Sequence, residues 1–280
     1  MLTLLACDML EGDLQKALHP AIGIEIFHNF TLVHDDIMDQ APLRRNKETV
    51  YKKWNTNIAI LSGDTMFAMA YDYLLRTDAD LLPLMLPLFN RTAMEVCEGQ
   101  QLDVEFEARE DVTLTDYIEM IRLKTAVLIA TSLRTGAIIA RAPETVCSTL
   151  YNIGIHVGLA FQLIDDILDV YSDPGTFGKI SGNDIITGKR TFLFLKAYEK
   201  AGPAEKKELD ACFGAPDMDK DEKVKRVKSV YDQLGRREEA LNVVNDDYER
   251  ARHLLEQIPV MPERKKELSA FLEKLSIRIS

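Results

Sequence analysis

Two copies of one acidic pattern, Asp35-Asp36-Ile37-Met38-Asp39 and Asp165-Asp166-Ile167-Leu168-Asp169, each close a stretch that is otherwise apolar, FHNFTLV before the first and LAFQLI before the second. At about 100° per residue, positions i, i+1 and i+4 of a helix fall within about 100° of arc, so the three carboxylates of each copy share one side. Carboxylates four residues apart repel, and neither copy contains a Lys or Arg to offset the repulsion. A fold that keeps both must bring cations to them. Magnesium is suited to the task, because it takes carboxylate oxygens, keeps several waters and completes its shell with substrate phosphates. One such cluster is as readily a solvated helix end. Two, both on apolar helices, point to a metal site that holds a diphosphate.

The surrounding chain reads as helix almost throughout. Apolar residues recur at helical spacing, as in Ile22, Ile24, Ile26, Phe27, Phe30 and Val33, and alternating strand-like stretches are scarce. The main helices are expected over 15–39, 56–76, 80–108, 114–141 and 145–171, with shorter ones after 190. The expected fold class is all-α, a single domain over 1–280 with long helices around a central cavity. Polar segments at 40–55 and 172–191 interrupt the pattern, each directly after an aspartate-rich helix end. From about Ala204 the chain becomes more charged, with amphipathic helices such as 236–257, and reads as a solvated outer layer.

A formal net charge of −11 argues against nucleic acid as a partner, since most of the surface would repel phosphates. The four cysteines, Cys7, Cys97, Cys147 and Cys212, form no CxxC pair and fit free thiols in a reducing cytoplasm. No run approaches the roughly 18 apolar residues of a membrane span.

Each acidic cluster is followed by a basic loop: Arg44-Arg45 after the first, Gly178-Lys179 and Gly188-Lys189-Arg190 after the second. An arginine fork matches phosphate oxygens, a lysine brings a mobile point charge, and glycine lets backbone approach closely. Either loop alone is an ordinary solvated turn. Their repetition behind the same acidic pattern is what carries weight.

With these loops, DDIMDQAPLRR, EGQQLD at 98–103, LKTA at 123–126 and FQLIDDILD followed by GK, GND and GK resemble the trans-polyprenyl diphosphate synthase family. The resemblance covers most of 16–195. It implies an isoprenoid synthase-type helical bundle that joins isopentenyl diphosphate to an allylic prenyl diphosphate by ionisation, condensation and elimination. It further implies three magnesium ions held by Asp35, Asp36, Asp39, Asp165, Asp166 and Asp169. Arg44, Lys124, Lys179 and Lys189 would bind the allylic diphosphate, and His28 and Arg45 the isopentenyl diphosphate. Thr125 and Gln162 would offer oxygen dipoles to the allylic cation, and Phe30 and Thr31 would limit the product to fifteen or twenty carbons. A homodimer is the expected assembly.

Members of that family usually carry a Gly-Lys-Arg-x-Arg-Pro segment ahead of the helix that MLTLLACDML resembles, and the sequence begins just after that point. The expectation is a truncated chain with weakened isopentenyl diphosphate binding. Two other readings compete. A class I terpene cyclase would ionise the same kind of substrate but carries a different second metal motif. A regulatory subunit would keep the fold without needing six carboxylates.

Overall fold

The computed structural model describes residues 1–172, 182–215 and 217–276. Helix α1 (Leu2–Met9) leads into α2 (Leu14–Met38), whose N-terminus is capped by the Asp13 carboxylate accepting from the Gln15 backbone N–H at 2.9 Å. A two-residue hairpin follows, β1 (Leu43–Arg44) against β2 (Lys47–Glu48), and then the short α3 (Val50–Lys53). The long helices α4 (Thr56–Leu74) and α5 (Leu82–Ala108) come next. A Thr113–Asp116 capping box then starts α6 (Leu114–Ile121), which runs through a π-helical segment, Arg122–Ala126, into α7 (Val127–Ile139). Helix α8 (Glu144–Tyr171) carries the second acidic cluster at its C-terminal end. Beyond it lie α9 (Asn183–Thr187), α10 (Phe192–Lys200), α11 (Pro203–Phe213), α12 (Lys220–Gln233), α13 (Arg236–Gln257) and α14 (Pro262–Ser276).

The all-α expectation holds, and the five long helices lie within a few residues of their expected bounds. Two features depart from it. The expected helix over 114–141 is interrupted by the π-helical turn that contains Lys124 and Thr125. The basic loop after the first cluster is a hairpin whose two central residues, Arg45 and Asn46, have φ of 52° and 61°. That left-handed pair makes the tight turn that suits the twist of a hairpin, normally supplied by Asn-Gly, and an arginine there costs roughly 1–2 kcal/mol.

Helix α8 is the spine of the bundle. Its first half, with Cys147, Leu150, Ile153 and Val157, lies in a core shared with α1, α2, α4, α5 and α7. Its second half, with Leu163, Ile164, Ile167 and Val170, belongs to a second core with α6, α10, α12 and α13. Full burial of each such aliphatic side chain contributes roughly 1.5–3 kcal/mol.

The final third is therefore outer on one face only. Leu209, Cys212, Val227, Tyr231 and Val244 are buried and close the second core, which corrects the reading of the chain from about Ala204 as a solvated layer. No helix among the described residues is long and apolar enough to cross a membrane.

Candidate active site

Two close backbone approaches bring the long helices to the first acidic cluster. At Gly99 of α5 a Cβ would stand 2.3 Å from the Lys124 backbone nitrogen, and at Gly158 of α8 one would stand 2.3 Å from Ala126 Cα. Hydrogen in place of a side chain therefore lets α5 and α8 clasp the π-helical turn from two sides. Such turns accumulate at functional sites, and this one aims Lys124 and Thr125 across the bundle.

Three cations from three elements meet the first cluster. The hairpin returns Arg44 to the end of α2, where Nε donates to Asp36 Oδ1 at 2.7 Å and Nη2 to Asp35 Oδ2 at 3.1 Å. Lys124 Nζ donates to Asp35 Oδ1 at 3.1 Å and to Asp103 Oδ2 at 2.7 Å. Lys189, on the turn after α9, donates to Asp39 Oδ1 at 3.3 Å and lies 3.6 Å from Asp103. The left-handed Gly188, at φ 79°, and the Lys189 N–H donating to the Asp184 carbonyl at 2.8 Å set that turn.

Burial raises the Asp103 carboxyl, but the Lys124 and Lys189 ammonium groups outweigh it and hold Asp103 below the usual carboxylate range. Burial likewise works against charge on Lys124 and Lys189, and the carboxylates facing them, Asp103 first, push both above the ordinary lysine value. Burial pushes Asp36 up, against the pull of Arg44.

The second cluster is held differently. Asp166 is 3% exposed. The Tyr117 hydroxyl donates to its Oδ2, and Gln162 Nε2 donates to its Oδ1 at 3.2 Å. The Thr125 hydroxyl donates to Gln162 Oε1 at 3.0 Å, so Thr125, Gln162 and Asp166 form one chain of hydrogen bonds. Asp169 Oδ2 accepts from the Asp184 N–H at 3.1 Å, and Asp165 is exposed. Burial, with Asp184 and Asp165 nearby, pushes the Asp166 carboxyl well above its ordinary value.

The remaining candidates fall into three groups. His28 is seven residues before Asp35 and so on the same side of α2. Burial keeps it below the ordinary histidine value, with Arg45 and Arg44 adding to the effect and Glu25 opposing it. Arg45 is exposed on the hairpin turn. Phe30 joins an aromatic stack, 5.5 Å from Phe27 and 5.2 Å from Phe67 between ring centres, while the Thr31 hydroxyl bonds back to the His28 carbonyl at 2.8 Å. Lys179 lies outside the described residues.

The donor chemistry fits a hard divalent cation: the first cluster is all carboxylate oxygen, and nitrogen cations already face each of its aspartates at 2.7–3.3 Å. Among the described residues no three His, Cys, Asp or Glu side chains converge tightly enough to hold a metal by themselves. Magnesium that completes its shell with substrate phosphates and water does not require such a cage.

A family profile described as polyprenyl synthetase matches residues 1–234. The chain belongs to the polyprenyl synthetase family. It is 39% identical over 266 residues to the geranylgeranyl pyrophosphate synthase of Geoglobus acetivorans, covering 94% of this chain and 81% of that one. A crystal structure of a geranylgeranyl pyrophosphate synthase superposes with a TM-score of 0.94 at 44% identity, over 99% of this chain and 86% of the other. The geranylgeranyl pyrophosphate synthetase of Pyrococcus horikoshii OT3 gives a TM-score of 0.93 at 33% identity, over 99% and 84%. The protein is thus a prenyltransferase, a trans-prenyl diphosphate synthase that condenses isopentenyl diphosphate with an allylic diphosphate.

Two side chains beside these clusters take their places only through the fold. Asp103 closes the EGQQLD segment, yet its place between Lys124 and Lys189 exists only once α5 packs against the π-helical turn. Tyr117 reaches Asp166 from 49 residues away.

Proposed function

We propose that this synthase makes a short-chain product of fifteen to twenty carbons, with magnesium ions, three by family resemblance, held by Asp35, Asp36, Asp39, Asp165, Asp166 and Asp169. The observation that carries this reading is the convergence of Arg44, Lys124 and Lys189 on the first cluster from three separate elements. Each carboxylate there faces a cation that it can release to an incoming diphosphate. Magnesium bound there supplies Lewis-acid charge that eases departure of that diphosphate.

The chain's own groups do the rest. Arg44, Lys124 and Lys189, with Lys179 by resemblance, donate hydrogen bonds to diphosphate oxygens as negative charge builds on them. Thr125 and Gln162 present oxygen dipoles to the allylic cation. His28 and Arg45 bind the isopentenyl diphosphate, whose double bond attacks that cation. The released diphosphate accepts the proton lost in elimination. The apolar face of α2 below Asp35 takes the growing chain, and Phe30, about 7.5 Å along the helix at 1.5 Å per residue, is its floor.

We assign the enzyme to the cytoplasm as a homodimer. The free thiols at Cys7, Cys147 and Cys212 support the first part. Exposed Ile58, Leu61 and Met69 on α4, with Leu84 and Met94 on α5, support the second, as an apolar face that a second copy would cover. Removal of divalent cations by a chelator tests the metal assignment: synthesis should stop and return on adding magnesium, and Asp36→Ala and Asp166→Ala should each lower it at least 100-fold. Full synthesis in chelator, or an unimpaired Asp36→Ala, would overturn it.

A further inference from the structure

Asp166 of the second acidic cluster is held by different chemistry from the aspartates of the first. Every aspartate of the first has a cation partner, whereas Asp166 has none within ion-pair distance among the described residues. Both its oxygens are instead fixed by neutral donors, Tyr117 and Gln162. A neutral donor sets the position of a carboxylate without putting a competing cation on it, so the site stays open to a cation that arrives later.

The Tyr117 ring packs in the second core, 4% exposed, on α6 where that helix meets α8, and its hydroxyl serves Asp166. The consequence reaches further along the chain of hydrogen bonds. Because Gln162 spends an amide hydrogen on Asp166, its carbonyl turns to Thr125; because Thr125 spends its only hydroxyl proton on that carbonyl, its own oxygen lone pairs are left without a proton between them and the site.

We infer that Tyr117 is a positioning residue: it fixes Asp166, and through Asp166 and Gln162 it orients the oxygen dipole of Thr125 toward the allylic cation. The inference rests on the reading of Asp166 as a magnesium ligand. It predicts that second-cluster cation binding and protection of the allylic cation from water share one determinant.

The test is Tyr117→Phe, which removes the hydroxyl and keeps the ring. The first readout is the melting temperature of the protein with inorganic pyrophosphate as magnesium is titrated. The magnesium concentration for the half-maximal shift should rise about 10- to 100-fold, the usual consequence of losing an outer-shell partner. The second is product partition: a larger share of allylic substrate should leave as the water-quenched alcohol, with the Michaelis constant for isopentenyl diphosphate unchanged. Combined with Thr125→Val, the effects on partition should be less than additive.

An unshifted magnesium midpoint in Tyr117→Phe, or additive effects with Thr125→Val, would overturn the inference. Absence of any magnesium-dependent shift in the unaltered protein would instead sink the metal assignment on which it rests. Tyr117→Met, which also removes the hydroxyl and keeps an apolar side chain in the second core, is read the same way should Tyr117→Phe fail to fold.

Discussion

Lys124 Nζ lies 2.7 Å from Asp103 Oδ2, a pair made between the π-helical turn and α5, with Asp35 on the other side of the ammonium group at 3.1 Å. Asp103 thereby holds Lys124, the lysine that in the proposed function meets the allylic diphosphate. Asp103→Ala should lower kcat about 100-fold, the cost of misplacing a catalytic group by about 1 Å. Steady-state kinetics with saturating magnesium checks it; a change confined to the Michaelis constants would mean that Asp103 does not position Lys124.

Gly99→Ala places a methyl group 2.3 Å from the Lys124 nitrogen, where the contact is backbone and cannot swing aside. The turn and α5 must separate, at a cost of about 1–3 kcal/mol. Denaturant unfolding should show that loss, and activity should fall more steeply than stability because Lys124 and Thr125 move with the turn. Wild-type stability and rate would show that the close approach is dispensable.

The charged pairs set a pH profile whose signs can be worked out. Lys124 and Lys189 are pushed above the ordinary lysine value of 10.5, so their contribution is fully present below that pH and is lost only as pH rises through the higher folded values. Asp103 is held below 3.8, so its contribution is present above that pH and lost as pH falls through the lower folded value. His28 is depressed from 6.5, so the unfolded chain binds its proton first and stability falls as pH drops below 6.5. Asp36 and Asp166, pushed up by burial, act in the opposite sense, so the His28 contribution is read as a difference: relative to His28→Gln, the melting temperature of the unaltered protein should decline on the acid side of 6.5, and lysine titration should cause no loss of activity below about pH 10. An activity step near pH 9 that Lys124→Arg abolishes would contradict this.

Phe30 meets Phe27 and Phe67 with ring planes tilted by 49° and 47°, and in the proposed function this aromatic cluster is the floor beneath Asp35. Phe30→Ala should open it, so that chromatography of the dephosphorylated products shows chains longer than twenty carbons. Products of unchanged length would move the floor to another residue, with Phe67 the next aromatic in the stack.

Much of this architecture is legible in the sequence because helical period and the paired aspartate patterns report local constraints. Apolar spacing gives the long helices, and the repulsion within the first cluster requires cations, one of which, Arg44, the following loop supplies. Longer-range relationships leave weaker marks. Asp103 lies within the EGQQLD motif, but its place beside Lys124 shows only once Gly99 brings α5 against the π-helical turn. The hairpin lacks the usual Asn-Gly signal, because Arg45 and Asn46 occupy its left-handed positions. In the last third, Val227 and Tyr231 are spaced for burial, but the intervening lysines and acids dilute the pattern, and only the packing against α8 shows that they complete a core.

The decisive measurement is product analysis by chromatography and mass after incubation with magnesium, isopentenyl diphosphate and each of dimethylallyl, geranyl and farnesyl diphosphate. Elongation of the allylic substrates to fifteen or twenty carbons, absent when isopentenyl diphosphate is omitted, is the expected result. Turnover of an allylic diphosphate to a cyclic hydrocarbon without isopentenyl diphosphate, or no turnover of any combination by a folded protein, would contradict it.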